Sequence, residues 1–239
     1  EERLQKSITR VQNKLAEKKQ EKKKGDLYIQ SFGSFEVFDS EGKPMKWRTQ
    51  KNKELLAHLW FHENRRINKN VILDTIFMDH DIEKATTLLH TTVYQLRKSL
   101  RHLGLKNPIR YSNEAYELNV NFKSDYADFL ELTQKEEATD ADIEQILALY
   151  QDDFFGVDGY FWAMGEQKHI QNQFVEFLIQ YSEKRLKAEN YSSLLKNCLD
   201  TIYSRDPFHQ RAATLLLSYY DKIGDSAGLI NFYKTYEMN

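Results

Sequence analysis

Residues 85–103 constrain the fold of this chain more than any other stretch. Leu89, Val93, Leu96, Leu100 and Leu103 recur at spacings of four, three, four and three, the period of a helix that buries one stripe. Projected at about 100° per residue, Thr87, Thr91, Tyr94, Gln95 and Lys98 fall on the opposite side, with Arg97 and Arg101 on its flank. That side carries hydrogen-bonding groups and positive charge but no acid. A solvated helix face ordinarily mixes both signs, so the bias points to a surface built to touch something, with a merely skewed solvent face as the other reading.

The flanking sequence gives this helix a setting. In DLYIQSFGSFEVFDSEGKPMKWR, short aromatic and β-branched runs are broken by Gly33 and by the turn signal SEGKP, predicting strands at about 27–32, 34–38 and 45–48. Thr49 can cap a helix whose apolar stripe is Leu55, Leu56, Leu59 and Trp60. Asn68 repeats the arrangement before Val71, Ile72 and Phe77. After the long helix come Gly104 and Pro108, and then IRYSNEAYELN, two β-prone arms around a polar turn that predict a hairpin over 109–118. The order is three strands, three helices and a hairpin.

From Asp125 onward the pattern is helical. NYSSLLKNCLDTIY and GDSAGLINFYKTYE align at an offset of 34 residues, pairing Leu195 with Leu229, Cys198 with Phe232 and Leu199 with Tyr233. That offset is the length of a tetratricopeptide repeat. A turn at Asp206-Pro207 and an apolar helix ending near Gly224 suit stacked helical hairpins, although generic helix packing gives similar periods. At the other end, Leu4, Ile8, Val11 and Leu15 predict a short amphipathic helix, followed by the charged run EKKQEKKKG, a solvated linker stopping at Gly25. The start EERLQKSITR has neither an initiating Met nor the apolar region of a signal peptide, and reads as part of something longer.

Charge divides the chain in the same places. Residues 1–25 carry 9 Lys+Arg against 4 Asp+Glu, residues 26–122 carry 14 against 12, and residues 123–239 carry 11 against 20. A weakly basic middle and an acidic C-terminal half imply two domains with different partners, over 26–122 and 123–239, after a linker region of 1–25. With 41% hydrophobic residues, such domains can build cores. Cys198, the one cysteine, excludes an internal disulfide and reads as a small buried side chain, which fits a cytoplasmic location. No apolar run is long enough to span a membrane.

Nothing in the sequence predicts an enzyme or a cofactor. There is no glycine-rich phosphate loop, HExxH, paired-cysteine site or GxSxG. His80 stands between Asp79 and Asp81, but three adjacent residues cannot all face one ion on a regular element. The carboxylates of DDFFGVDGYFW have acid-base chemistry available to them, and the surrounding Phe154, Phe155, Tyr160, Phe161 and Trp162 read as anchors of a helix junction. The helix-helix-helix-hairpin order instead suits a helix-turn-helix module whose last helix enters the major groove of duplex DNA. Thr91 and Gln95 then face base edges, and Arg97, Lys98 and Arg101 face phosphates.

FGSFEVFDSEGKPMKWRTQKNKELLAHLWFHENRRINKNVILDTIF, followed by EKATTLLHTTVYQLRKSLRHLG, resembles the OmpR/PhoB-type winged helix as it occurs in SARP/AfsR-type bacterial transcriptional activators. The stretch from DYADFLELTQ through LALYQDDFFGVDGYFWAMGEQ to the two repeats resembles the bacterial transcriptional activator domain that follows it there. The resemblance covers about 26–239, and the N-terminal helix resembles the end of a receiver domain, as in a two-component response regulator. It implies a mainly α fold with small β, a winged helix-turn-helix followed by an all-α tetratricopeptide-like domain. It further implies that residues 83–103 are the recognition helix and that Thr87, Thr91, Thr92, Tyr94, Gln95, Arg97 and Lys98 meet DNA. The 109–118 hairpin becomes the wing, placing Arg110, Ser112 and Asn113 near a minor groove. The implied partners are double-stranded DNA, a second copy of the chain and RNA polymerase. The chain departs from the family pattern in two places: the wing tip reads SNEA rather than carrying glycine, and Gln95 stands where a basic residue is common. The competing reading is a helical-repeat adaptor whose winged helix binds protein rather than DNA.

Overall fold

A computed structural model of the chain describes residues 27–63 and 65–238. The helix and linker expected over 1–25 lie outside the described residues. The chain divides into two compact units, one ending at Asp125 but also taking in Val157–Trp162, the other formed by Tyr126–Gly156 and the residues from Ala163 onward.

In the first unit, β1 (Tyr28–Gln30) pairs antiparallel with β2 (Glu36–Phe38) and parallel with β6 (Lys123–Ser124), giving the order β2-β1-β6. The strand expected at 45–48 does not form. The chain there meets β2 through a bridge between Phe38 and Pro44, a bond from the Met45 amide to the Val37 carbonyl, 2.7 Å, and the Trp47 indole, which donates to Glu36 at 2.9 Å. The donors on either side of the bridge are Asp39, to the Lys43 carbonyl at 3.0 Å, and Met45, and Pro44 occupies the position between them whose N–H the pairing does not use. The end of β1 is fastened by the buried carboxylate of Asp125, which accepts hydrogen bonds from the Ser31 amide (2.8 Å), the Ser31 hydroxyl (2.6 Å) and the Phe32 amide (3.1 Å).

Three helices follow, each begun by a side-chain cap. Thr49 caps α1 (Gln50–Phe61), Asn68 caps α2 (Lys69–Ile76) and Asp81 caps α3 (Ile82–His102), each accepting a bond from a backbone amide of the first turn. Leu55, Leu56, Leu59 and Trp60 of α1, Ile72 and Ile76 of α2, and Leu89, Val93, Leu96 and Leu100 of α3 are buried. Between α1 and α2, the short β3 (Ile67–Asn68) joins a second sheet with β4 (Ile109–Ser112) and β5 (Ala115–Leu118), in the order β3-β5-β4. This is a winged helix-turn-helix.

Residues 157–162 complete this unit. The Val157 amide donates to the Gly33 carbonyl, and Asp158 accepts from the Phe35 amide and pairs with Lys53 Nζ at 2.7 Å. Lys53 is buried and also meets Glu36 at 3.3 Å and the Ser34 hydroxyl at 2.6 Å. The Trp162 ring stands edge-on to His58, 4.9 Å away. Burial, helped by the neighbouring His62, pushes the His58 imidazole down to about 4. The unfolded chain binds that proton near the ordinary histidine value, so stability is fully present above about pH 6.5 and is lost as pH falls toward 4. Denaturant titrations at pH 8 and pH 5 are expected to differ by about 2 kcal/mol from this residue, a difference that His58→Phe removes.

The second unit is helical: α4 (Asp125–Thr133), α5 (Asp140–Leu149), α6 (Met164–Lys187), α7 (Ser193–Arg205), α8 (Gln210–Lys222) and α9 (Ser226–Met238). A capping box of Thr139 and Asp142 starts α5, and Lys135 also bonds Asp142, whose carboxyl is held down to about 2 chiefly by that bond. Helix is interrupted between α5 and α6, where Phe155 and Gly159 both take positive φ. Of the aromatic residues in that interval, Phe154 and Phe155 are fully buried in the second unit, Tyr160 is buried in the first, and Phe161 is 77% exposed.

The repeat offset has a structural counterpart. Leu195, Cys198 and Leu199 of α7 are buried, and their partners Leu229 and Phe232 in α9 are half-buried, while Tyr233 remains exposed. Leu195 and Leu199 pack with Leu216 and Tyr219 of α8, and the Phe232 ring lies 4.9 Å from Tyr203. Gly228 permits the close approach of α9 to α8, because a Cβ there would stand 2.6 Å from the Tyr220 ring. These are tetratricopeptide-like helical hairpins, so the chain is mainly α with small β. Among the described residues no helix is long and apolar enough to cross a membrane.

Candidate nucleic-acid interface

The 21 residues of α3 carry the face that the sequence singles out. Thr87, Thr91, Tyr94 and Lys98 are exposed and Gln95 is half-buried among them. The Thr87 and Thr91 hydroxyls donate back to the Glu83 and Thr87 carbonyls, both at 3.0 Å, which leaves oxygen lone pairs and methyl groups to face a partner. No acidic side chain interrupts this set.

Thr92 does not belong to it. It is 6% exposed, its hydroxyl donates to the Leu88 carbonyl at 2.8 Å, and its carbonyl accepts from the Asn52 side-chain amide at 3.1 Å. Standing between Leu89, Val93 and Leu96 on the apolar stripe, it ties α3 to α1 rather than facing outward. Arg97 is also committed within the fold: its Nε donates to the Ile109 carbonyl at 3.0 Å, bracing the end of α3 against β4. Arg101 is fully on the surface one turn later.

On the wing, Arg110, Ser112 and Asn113 are exposed. Asn113 and Glu114 form the two-residue turn with φ of 50° and 55°, the left-handed geometry of a type I′ hairpin. The acid at the tip is partnered. Glu114 accepts from the Tyr111 hydroxyl at 2.7 Å and pairs with Lys69 at 3.0 Å, and these contacts, the Tyr111 bond first, hold its carboxyl below the usual range. Arg66 supports the wing from β3's side by bonding the Ser112 carbonyl and hydroxyl. Neither Arg66 nor Lys69 stood out in the sequence, since their roles depend on the β3–β5 pairing. Glu114→Gly is expected to raise the unfolding temperature, because glycine adopts positive φ without strain and the exposed ion pair contributes little. Thermal unfolding of the two proteins checks it.

Among the described residues, no cluster of three His, Cys, Asp or Glu side chains is placed to hold a metal ion. Cys198 is buried, and burial pushes its thiol up to about 12.

No family model matches the chain, and no curated protein matches it. Among solved structures, EmbR of Mycobacterium tuberculosis, determined in complex with a low-affinity phosphopeptide, matches 89% of this chain with a TM-score of 0.73 at 15% sequence identity. The chain spans 59% of that protein's length. At that identity the likeness is one of fold, and the winged helix-turn-helix with its helical-repeat partner is the fold the two chains share.

Proposed function

We propose that this chain is a sequence-specific DNA-binding transcriptional regulator of the SARP/AfsR type, which inserts α3 into the major groove of promoter duplex. The observation that carries the reading is the acid-free face of Thr87, Thr91, Tyr94, Gln95 and Lys98, presented on a helix whose opposite stripe is buried and whose end is braced to a wing. In this reading Thr91 and Gln95 read bases, a glutamine being suited to a paired contact with adenine. Lys98 and Arg101 grip phosphates, and Asn113 and Arg110 approach the neighbouring minor groove. Arg97 acts as a brace. The fold shared with EmbR supports the reading at the level of architecture.

The helical unit, with 18 acidic residues against 10 Lys and Arg, serves self-association or contact with RNA polymerase. The weak positive charge of residues 26–122 implies modest affinity for a single half-site, which a dimer on repeated half-sites compensates. The full protein, on this proposal, is a cytoplasmic response regulator that needs no cofactor and catalyses no reaction.

Gln95→Ala and Lys98→Ala test the division of labour. Gln95→Ala is expected to change which sequences bind, at about 1–3 kcal/mol for the base it contacts. Lys98→Ala is expected to weaken all duplexes alike and to lower the log–log salt slope by about 0.9. Absence of salt-sensitive duplex binding, together with protein partners retained at high salt, would replace this function with that of an adaptor.

A further inference from the structure

Residues 157–162 leave the helical sequence between α5 and α6 and pack in the first unit, where they take hold of α1. Their grip is polar and buried. Lys53 Nζ meets Asp158 at 2.7 Å, Glu36 at 3.3 Å and the Ser34 hydroxyl at 2.6 Å, so one ammonium joins α1, β2 and the 157–162 segment. The Phe35 amide donating to Asp158 and the Val157 amide donating to the Gly33 carbonyl at 3.2 Å fasten the segment beside β2. One step of about 100° around α1 separates Lys53 from Asn52, which faces α3 instead. Asn52 is 3% exposed, and its side-chain amide is held at both ends: the oxygen accepts from the Thr49 hydroxyl at 2.7 Å and the nitrogen donates to the Thr92 carbonyl at 3.1 Å. Thr92 follows Thr91 directly and precedes Gln95 by one turn, so this bond fixes the rotation of α3 where its outward face does its reading. An outward side chain lies about 6 Å from its helix axis, and a rotation of about 10° carries its tip by about 1 Å. That exceeds the range over which an N–H···O bond keeps good length.

We propose that residues 157–162 are a positioning strap for α3: docked on Lys53 they fix α1, and α1 fixes the rotation of α3 through Asn52. The proposal rests on the reading of α3 as the recognition helix. It makes Asn52, Lys53 and Asp158 determinants of sequence discrimination, although the side chains of all three are buried. Buried polar groups suit this task, because they are satisfied in one arrangement while apolar surfaces tolerate sliding. Phosphate contacts are less exacting, since long basic side chains follow the backbone charge through a small rotation. The strap therefore governs discrimination between sequences rather than overall affinity.

The test compares the wild type with Asn52→Leu, with Asp158→Asn, with the charge-free pair Lys53→Met and Asp158→Asn, and with that pair added to Asn52→Leu, using circular dichroism to verify folding. The charge-free pair leaves no unpaired buried ion and carries the test if Asp158→Asn alone unfolds. Two quantities are read. One is the ratio of affinities for a duplex selected from a random pool and for the same duplex mismatched at one base. The other, taken without DNA, is the set of backbone amide resonances of Thr91, Gln95 and Lys98. Asn52→Leu and the charge-free pair are each expected to lower the ratio about tenfold at an unchanged salt slope, and to shift those resonances. The pair added to Asn52→Leu is expected to lower the ratio no further, because both act on one link. Lowered stability with an unchanged ratio and unmoved resonances would reduce the segment to a structural support, overturning the strap and leaving DNA binding standing. Losses that multiply would overturn the route through Asn52. Resonance shifts in α3 of a protein that binds no duplex would uphold the link and overturn DNA as the partner it serves.

Discussion

Lys53→Met is expected to destabilise the winged-helix unit by about 3–5 kcal/mol, the cost of leaving buried charge without its partner. Lys53 and Asp158 both have side chains 7% exposed, 2.7 Å apart. Removing the ammonium leaves the Asp158 carboxylate buried, with the Phe35 amide still donating to it. Glu36 suffers less, because it is partly exposed and also accepts from the Trp47 indole at 2.9 Å. Asp158→Asn added to Lys53→Met is expected to recover part of the loss, since the neutral amide oxygen still accepts from Phe35 and no unpaired charge remains. Denaturant unfolding of the two single variants and the double variant gives the coupling directly, and a value above about 1 kcal/mol is expected for groups in such contact. A loss below about 1 kcal/mol for Lys53→Met would mean that the pair is solvated rather than buried.

Arg205→Ala is expected to cost the helical unit about 2–4 kcal/mol. One Arg205 nitrogen meets Asp153 at 2.9 Å, and the other donates to the Tyr150 and Gln151 carbonyls at 3.2 and 2.8 Å. Its guanidinium also lies 4.6 Å from the Tyr150 ring centroid, and the Tyr150 ring stacks on Phe174 at 4.3 Å. The last residue of α7 therefore satisfies the carbonyls released where α5 ends, at a place where no helix continues to accept their bonds. Arg205→Lys keeps the charge but cannot spread its donors over three acceptors, and is expected to retain less than half of the stabilisation. Chemical denaturation followed by circular dichroism at 222 nm measures both variants, because this unit is almost wholly helical.

What the sequence revealed followed from local chemistry. The three helices of the first unit and their caps at Thr49 and Asn68 could be read directly, since capping and a 3.6-residue stripe are short-range properties. The hairpin at 109–118 was visible for the same reason, as two β-prone arms around a polar turn. What stayed hidden depends on partners far along the chain. Asp125 fastens β1 across 94 residues, and Asp158 reaches Phe35 across 123. No periodicity marks either acid, and the same distance kept residues 157–162 from being assigned to the first unit. The strand expected at 45–48 from its aromatic and β-prone composition is reduced to an isolated bridge at Pro44, because composition does not say whether a neighbouring strand edge is there to pair with. Thr92 shows the limit for the site: a threonine beside two outward threonines looks like a third, but one step of about 100° turns it into the interface with α1. Arg97 shows the converse, a basic residue on the flank of the outward face whose Nε is committed to the Ile109 carbonyl within the fold.

Whether the outward face of α3 reads duplex DNA, as proposed, is tested by selecting bound duplexes from a random pool at low salt. Enrichment of a defined motif in repeated half-sites is expected, with affinity falling steeply as salt rises and with Gln95→Ala recovering a different base at one position of each half-site. A pool that emerges without any enriched motif, from protein whose circular dichroism confirms that it is folded, would contradict it.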